Sequence, residues 1–360
     1  MLIVVGIVSL PIIIYITSIR MPLLSLRISN GQTQRFRVGI LIVSDTKYQQ
    51  LYRDQSKTVE CYAYRHNYSF ILLDPKEYFP CSRIDNFFFQ KHCAVLYYLI
   101  SHVSKIDWLL VLDGDVVVVN SSNLIERYLP QAPHSSINVI HYERFETGEI
   151  MAGNYLIKNT PWSYLYLAKW VEWYTRLPLE AFHNNDNGVL HMHLLDMLQV
   201  DEAAKTKCYD IYKIKDGGYR TYEKFIQCIK CTIGGRRDFR YIRLLRRAHG
   251  FPPRIRDHLY LLSSNDFMAH GFKEKSNGTV YHSLIDDQTC NNSNHYQESL
   301  LLSTQLAYNV TERSELIKRL DAKAARRSSV GIADISDCWP NCPPNLTEEK
   351  LKHYLNALCK

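Results

Sequence analysis

The sequence lacks internal repeats and low-complexity blocks, and it carries only a modest excess of charge. The formal net charge is +7 over 360 residues. A chain of this length holds one large domain or two ordinary ones, and its 46% apolar content is ample for a packed core. These features indicate an ordinary globular body.

The ten cysteines lack the spacing of a zinc site or a redox centre. Cys228 and Cys231 form a lone C-x-x-C, with no second pair at zinc-finger spacing and no redox-type context around it. Cys338 and Cys342, beside prolines in "CWPNCPP", are typical of a disulfide-stapled tail. We therefore interpret all ten as disulfide formers, which indicates an oxidising compartment.

Residues 1–19 lack any charged side chain, and they are long enough to span a bilayer. Charge alone favours a cytoplasmic body, because four arginines follow this segment and no basic residue precedes it. Six N-glycosylation sequons and the ten cysteines favour a lumenal body instead. We predict a single-pass signal anchor in the Golgi or endoplasmic reticulum membrane, with the body in the lumen.

The stretch Arg236–Arg256 holds eight arginines but lacks a surrounding nucleic-acid-binding module. A basic run of this kind could bind nucleic acid, an anionic glycan or a membrane face. The solvated face of a helix is the interpretation we favour, since several arginines fall at helical spacing: Arg236, Arg240, Arg243 and Arg247. No nucleic-acid partner is predicted.

Apolar runs typical of buried strands alternate with helical patterns along the first third of the chain. The strand-like runs are "VGILIVSD", "SFILLD" and "IDWLLVLD". This alternation predicts an α/β fold with a mostly parallel central sheet. Ligands of such sheets bind beyond the carboxyl ends of the strands. Asp45 and Asp113 follow two of these runs, so we expect them in one crevice.

Further strand patterns occur in "INVIHYER" and "EIMAGNYLIKN", and a helix is predicted between Pro161 and Pro178. Another helix begins near Asp186. From about Asp286 onward the chain becomes polar and rich in sequons. The predicted organisation is an anchor (1–19), a linker (20–37), the main domain (38–285) and a C-terminal extension (286–360).

The apolar stretch Ile106–Asn120 is typical of one buried parallel strand, and two carboxylates interrupt it. Asp113 and Asp115 lie there with no cation beside them in sequence, although an unpaired buried carboxylate is costly and two close together are worse. Mn²⁺ or Mg²⁺ would neutralise them and keep positions for phosphate oxygens, and Gly114 lets a ligand approach the backbone. The alternative, two aspartates that cap a turn, is disfavoured by the apolar flanks.

The stretch around these two aspartates resembles a motif of a known protein family. "WLLVLDGDVVVVN" resembles the D-x-D strand of GT-A-fold glycosyltransferases, which have a Rossmann-like, mostly parallel sheet. Four further blocks resemble, in the same order, a large nematode family of GT-A-like proteins: "QKHCAVLYYL", "EIMAGNYLIKN", "HNNDNGVLHMHLLD" and "DFMAHGFK". More distantly, the order is similar to that in retaining galactosyl- and xylosyltransferases. The resemblance covers about Val38 to His282.

The resemblance implies a third metal ligand at His270, in "HGFK", and a diphosphate contact at Lys273. A neutral imidazole and an ammonium group suit these two roles. A surface-loop histidine is the alternative for His270. His191 and His193 are poorer candidates, because side chains two apart on a helix face different directions. The D-x-D has glycine at its centre and the H-G motif lacks the Pro-Trp ending of some relatives, which leaves the donor sugar open.

The resemblance also implies residues around the donor. Asp186 would contact the donor sugar or the acceptor, although Asp is also favoured at a helix N-cap. Asp186 and Glu149 are the candidates for the chemical step. The nucleotide-sugar contacts, with Lys91 the weaker candidate among them, are expected from Ser44, Asp45, Lys91, Gly114, Gly153 and Asn154.

The expected function is therefore a metal-dependent glycosyltransferase. It would move a sugar from a nucleotide-sugar donor, expected to be a UDP-sugar, to a glycan or glycoprotein acceptor with retention. A haloacid-dehalogenase-type phosphatase is the alternative enzyme, with Asp113 as nucleophile, Asp115 as acid, and Asp286 and Asp287 as metal ligands. That class has its D-x-D on the first strand, whereas two strands precede this one. A lumenal sugar-binding protein without turnover is the non-enzymatic alternative.

The orientation of the body gives a testable prediction. In a lumenal body several sequons acquire glycans, so enzymatic deglycosylation should increase the electrophoretic mobility of the protein from cells. An unglycosylated body that protease digests in intact microsomes would instead show a cytoplasmic orientation. The sequons to be followed by site-resolved mass spectrometry are Asn67, Asn277, Asn291, Asn309 and Asn345.

Overall fold

The computed structural model describes most of the main domain and parts of the C-terminal extension. The described residues are 36–132, 135–145, 147–215, 217–251, 266–271, 314–315, 317–322, 335–339 and 341–359. The predicted anchor, residues 1–19, lies outside this range. No helix within the described residues combines the length and the apolar character that crossing a bilayer requires.

A six-stranded sheet forms the centre of the molecule, in the order β2-β1-β3-β6-β5-β7. Five strands run in one direction and β6 runs antiparallel to both of its neighbours. This sheet confirms the predicted α/β class. Its strands are β1 (Val38–Val43), β2 (Ser69–Leu73), β3 (Trp108–Leu112), β5 (Val139–Tyr142), β6 (Tyr155–Lys158) and β7 (Ile242–Leu245), while β4 (Val116–Val118) pairs with β8 (Met268–His270) in a separate antiparallel sheet.

Helices cover both faces of the central sheet, which explains why its middle strands are apolar throughout. Leu109 and Val111 of β3 pack in one hydrophobic cluster, and Leu110 and Leu112 pack in the other. A strand buried on both faces needs apolar side chains at every position. The helices are α1 (Thr46–Leu51), α2 (Arg53–His66), α3 (Phe79–Ser82), α4 (Phe87–Ser101), α5 (Pro161–Glu172), α6 (Asp186–Leu198), α7 (Glu202–Tyr212), α8 (Gly218–Ile233) and α9 (Pro344–Leu358).

Local signals set the starts of the helices that carry site residues. The Asn86 side chain accepts a hydrogen bond from the backbone N–H of Phe88 and caps α4. The Thr160 side chain caps α5, which has Pro161 at its first position. The helix predicted between two prolines is therefore confirmed, although α5 ends at Glu172 and continues as a 3-10 turn.

The apolar stretch around the two aspartates is divided between two sheets, so the prediction of a single strand was wrong. Strand β3 ends at Leu112, and the chain turns through Asp113 and Asp115 before β4 begins. The backbone N–H of Asp113 donates to the Asn154 side chain rather than to a neighbouring strand. The following valines pair with β8 instead of the central sheet, which places both carboxylates in a turn.

The arginine-rich stretch was also predicted wrongly, because it contains edge strand β7 rather than a helix. Arg246 and Arg247 are buried, and Arg246 lies 2.8 Å from the carboxylate of Glu143. Glu143 is buried as well, and its second cationic partner is Lys230 of α8 at 3.1 Å. Strand pairing and buried ion pairs therefore decide the conformation of this stretch.

Disulfides join every cysteine among the described residues, which confirms the disulfide interpretation. Cys208 pairs with Cys228, and Cys231 pairs with Cys359, so the C-x-x-C residues belong to two separate bridges. The second bridge attaches the end of the C-terminal extension to α8. The remaining complete pairs within the described residues are Cys81–Cys93 and Cys338–Cys342.

The buried cluster of Glu143, Lys230 and Arg246 gives a stability prediction. Burial alone would raise the pKa of Glu143, but Lys230 and Arg246 hold that pKa below its usual value. Glu143→Gln leaves two buried cations without their carboxylate, so the free energy of unfolding should fall by about 3 to 5 kcal/mol.

Denaturant unfolding of the oxidised protein measures this loss. Glu180→Gln is the matched control, because Glu180 pairs with Lys215 on the surface at 2.7 Å with both side chains more than half exposed. An exposed pair contributes less than about 1 kcal/mol. Equal effects of the two substitutions would show that the buried cluster does not stabilise the fold.

Candidate active site

Three side chains that suit a divalent cation converge where β3, β4 and β8 meet. Nε2 of His270 lies 3.3 Å from Oδ2 of Asp113 and 3.2 Å from Oδ1 of Asp115. One ligand atom from each residue lies within 4.8 Å of the other two, in the one such group found among the described residues. The sequence-predicted metal ligands are thus brought together from two distant parts of the chain.

Pairing of the small sheet places His270 in this group. Val116 of β4 lies opposite His270 of β8, one residue beyond Asp115. The backbone N–H of Gly271 then donates to the carbonyl of Asp115 at 3.1 Å. Gly271 has a φ of 91°, a left-handed backbone conformation that favours glycine, so the H-G sequence lets the chain turn directly after the ligand.

Lys91 of α4 holds the first carboxylate from the opposite side. Its side chain is only 1% exposed, and Nζ lies 2.5 Å from Oδ1 of Asp113 while also donating to the carbonyl of Gly153. A Cβ on Gly153 would lie 1.9 Å from Oδ2 of Asp113, so a larger residue there would displace the carboxylate. Asn154 accepts from the backbone N–H of Asp113 at 2.7 Å and donates to the hydroxyl of Tyr142. Lys91, Gly153 and Asn154 therefore position Asp113.

Groups of opposite charge shift the pKa values of Asp113 and His270. Burial would raise the pKa of Asp113, but Lys91 and His270 hold it well below its usual range. Burial would lower the pKa of His270, but Asp115 and Asp113 raise it to about 9. Lys91 and His270 thus offset the desolvation of Asp113 and Asp115.

The spacing and the donor types fit an octahedral cation. Adjacent ligands of an octahedral ion at about 2.0 to 2.1 Å lie roughly 3 Å apart, close to the separations between His270 and the two carboxylates. Carboxylate oxygens with one imidazole nitrogen suit Mg²⁺ or Mn²⁺. Asp113, Asp115 and His270 would hold such an ion.

The predicted nucleotide contacts lie at the same edge of the sheet. Ile42 pairs with Leu112, so Ser44 and Asp45 follow β1 where Asp113 follows β3. Ser44 is buried, and the Asp45 side chain caps α1 by accepting from the backbone N–H of Tyr48 at 2.9 Å. This register places Asp45 and Asp113 at the same edge of the sheet, as expected for two residues that share a crevice.

Tyr52 is a contact of the D-x-D turn that the sequence analysis missed. A Cβ on Gly114 would lie 3.1 Å from the Tyr52 ring, so the tyrosine packs against the turn and a larger residue there would have to push it aside. Tyr52 is the residue between α1 and α2, seven residues after Asp45. No sequence signal marked it, because the helical pattern appeared to continue through this position.

Glu149 lies in a buried polar network next to the Gly153 segment. Its carboxylate is 3.0 Å from Arg144 and accepts hydrogen bonds from the Asn187 side chain and the Tyr222 hydroxyl. Burial would raise the pKa of Glu149, but Arg144 chiefly lowers it. Asn187 also accepts from the backbone N–H of Ala152 at 3.1 Å, which connects the network to the loop beneath Asp113.

Asp186 begins α6 and lies buried against a histidine that the sequence analysis missed. Its Oδ2 is 3.1 Å from Nε2 of His92, and Nδ1 of His92 is 3.1 Å from the Tyr155 hydroxyl. Burial lowers the pKa of His92 although Asp186 opposes this. His92 directly follows Lys91 in "QKHCAV", and that adjacency is the signal that could have identified it. This chain of hydrogen bonds packs behind Lys91.

The remaining residues named in the sequence analysis lie either in the core, away from the D-x-D group, or outside the described residues. His191 and His193 are buried away from the D-x-D group. The ring of His191 bonds to the backbone of Ile150 and Asn187, whereas His193 packs against Tyr166. Their rejection as ligands agrees with these positions. Lys273, like Asp286 and Asp287, lies outside the described residues.

Seven solved chains match this protein, and the structures of two of them illustrate the likeness. The structures are a glycosyltransferase involved in glycosylation of the major capsid of PBCV-1 and the catalytic domain of Drosophila β1,4-galactosyltransferase 7, in complex with xylobiose. The first has 17% identity and a TM-score of 0.36, covering 44% of this chain and 77% of that chain. The second has 13% identity and a TM-score of 0.30, covering 74% and 79%.

A search of curated proteins found no match. A family model described as "Protein of unknown function, DUF273" matches residues 59–286. These residues include the D-x-D turn, Lys91, Gly153 and His270. Because the match spans more than half of the sequence, this chain belongs to the DUF273 family.

Proposed function

We propose that this protein is a GT-A-like, metal-dependent glycosyltransferase that acts on a nucleotide-sugar donor. The observation that carries the proposal is the convergence of Asp113, Asp115 and His270 at the carboxyl edge of a mostly parallel sheet. Open α/β sheets bind their ligands at this edge. The group also lies beside the end of β1, where Ser44 and Asp45 would contact the nucleoside.

The three ligands would hold Mn²⁺ or Mg²⁺, which supplies positive charge against the diphosphate leaving group. Lys91 keeps the carboxylate of Asp113 in place from below. Gly153 leaves the space that this arrangement needs. The donor we propose is a UDP-sugar, and the acceptor is a glycan or glycoprotein in the secretory pathway.

Retention of configuration is part of the proposal because of the sequence resemblance to retaining enzymes. We propose that Asp186 and Glu149 take part in the chemical step of this retaining transfer. Asp186 is bonded to His92, and Glu149 is bonded to Arg144, Asn187 and Tyr222, so each is fixed in a buried network at the margin of the site. We propose that these networks orient the loop and helix that line the sugar pocket.

The phosphatase alternative fits this geometry less well. Asp113 would be the nucleophile of such an enzyme, and its Oδ1 is bonded to the buried Lys91. The D-x-D also follows the third strand of the chain rather than the first. Glycosyl transfer therefore remains the better supported activity.

Metal-dependent nucleotide binding tests the proposal. Mn²⁺ and UDP-sugars should bind the purified full-length protein saturably in calorimetric titrations. Asp113→Asn, Asp115→Asn and His270→Ala should each weaken this binding by more than about 100-fold, since even outer-shell partners of a metal are worth about 10- to 100-fold. Asp107→Asn is the control, because Asp107 lies at the opposite end of β3 and pairs with Arg37.

Three results would count against the proposal. Undiminished Mn²⁺-dependent binding in the Asp113→Asn/Asp115→Asn variant would show that these two carboxylates do not bind the metal. Release of phosphate from monoesters would favour the phosphatase. Saturable UDP-sugar binding without transfer to any acceptor or hydrolysis would identify a sugar-binding protein that has no turnover.

A further inference from the structure

A second open groove lies at the edge of the sheet opposite the D-x-D turn. It has a volume of about 640 Å³ and lies between α5, the end of α6 and the segment before β7. We call it the Trp162 groove, and its principal lining residues are Trp162, Leu165, Lys169, Arg236, Arg240 and Tyr241. Strand β7 begins beside this groove, whereas Asp113 follows the end of β3, so the length of the strands separates the two sites by roughly 13 Å or more.

An excess of positive charge is the first feature of the groove, which is lined by four cationic and two acidic side chains. Lys169, Arg236 and Arg240 are exposed, and none of them forms an ion pair with a carboxylate among the described residues. Asp196, one of two acidic lining residues, is already 3.0 Å from Lys205 outside the groove. The groove therefore offers cationic groups that are available to an anionic ligand.

Aromatic rings hold two of these cations in place. Arg236 lies over the Phe239 ring at 5.1 Å, and Arg240 lies over the Tyr241 ring at 4.9 Å. A guanidinium group that is stacked on a ring is pre-oriented, and its planar fork can donate two hydrogen bonds to a carboxylate or a sulfate. Stacking therefore prepares both arginines for bidentate contacts.

A flat aromatic surface is the second feature. Trp162 is partly exposed, stacks on Tyr166 with ring centroids 5.5 Å apart, and lies 4.9 Å from the centroid of Tyr241. The partly exposed Trp162 ring provides rigid apolar area. The C–H face of a sugar ring matches such a surface, while its substituents reach the neighbouring charged groups.

We infer that the Trp162 groove binds an anionic glycan, a chain whose sugar rings carry carboxylate or sulfate groups. Single-stranded nucleic acid also combines aromatic stacking with cations. The glycan is favoured because disulfides join the described cysteines, which indicates an oxidising compartment that holds glycans. Glu172 and Asp196 within the groove would also accept hydrogen bonds from sugar hydroxyls.

This site is independent of the proposed transfer activity. The glycan would bind without metal and without a nucleotide sugar. Binding is therefore measured in the presence of a chelator, and the Asp113→Asn/Asp115→Asn variant should bind as tightly as the parent protein. The two proposals can then fail separately.

Fluorescence titrations of the full-length protein provide the test. The probes are a heparin-derived hexasaccharide, which carries sulfate and carboxylate groups, a hyaluronan hexasaccharide, which carries carboxylates alone, uncharged maltohexaose, and oligothymidylate. Arg236→Gln/Arg240→Gln should weaken binding of the anionic glycan by about tenfold or more, because each arginine would make charge-assisted hydrogen bonds. Trp162→Ala should weaken it further.

Arg83→Gln/Arg220→Gln is the matched control. It removes the same charge from exposed positions outside the groove, and Arg83 lies over the Phe79 ring at 4.3 Å just as the groove arginines lie over theirs. This control should bind as the parent does. Binding of heparin alone supports the inference with sulfate as the required group, and binding of both anionic probes supports it with carboxylate as sufficient.

Other outcomes would overturn the inference. One is the absence of binding by either anionic hexasaccharide. A second is an equal loss of affinity in the groove variant and the control variant, which would show a diffuse charge effect. A third is oligothymidylate binding that matches the glycans and is lost with the same arginines, which would assign the groove to nucleic acid.

Discussion

Asp113 is held by groups from three separate parts of the chain, and the candidate site depends on that arrangement. Lys91 reaches it from α4, Asn154 fixes its backbone, Gly153 leaves room for it, and His270 approaches from β8. A buried carboxylate needs such partners, because removal from water costs several kcal/mol unless charge and hydrogen bonds offset it. The fold therefore brings these segments together around the carboxylate of Asp113.

Other buried polar networks extend this arrangement outward. His92 and Asp186 connect α4 to the start of α6, directly behind Lys91. Arg144 and Glu149 connect the loop before Gly153 to α6 and α8. Each network is closed by complementary charges or hydrogen bonds within a well-packed interior. The residues that would touch a donor thus rest on rigid elements, as a precisely placed binding site requires.

The two charged regions of the molecule differ in how their charge is satisfied. At the D-x-D turn, carboxylates and cations balance in a buried group that a metal ion could enter. In the Trp162 groove, arginines lie on aromatic rings and face solvent. The same stretch of sequence also contributes Arg246 to the buried cluster around Glu143. A single basic run therefore contributes to the core and to a surface groove. Arg236 and Arg240 precede β7 and line the groove, whereas Arg246 follows β7 and is buried.

Local patterns in the sequence were enough to determine the α/β class, the apolar strands β1 to β3, the disulfide character and the pair of aspartates at a strand end. Apolar periodicity and turn residues act over a few positions, so they can be read from the chain directly. The position of His270 opposite Val116, the ion pair between Lys91 and Asp113, and the strand within the arginine-rich stretch were decided by the tertiary structure. Pairing between distant strands and the choice of buried charge partners depend on which surfaces meet in the folded chain, and spacing along the sequence contains no information about those meetings.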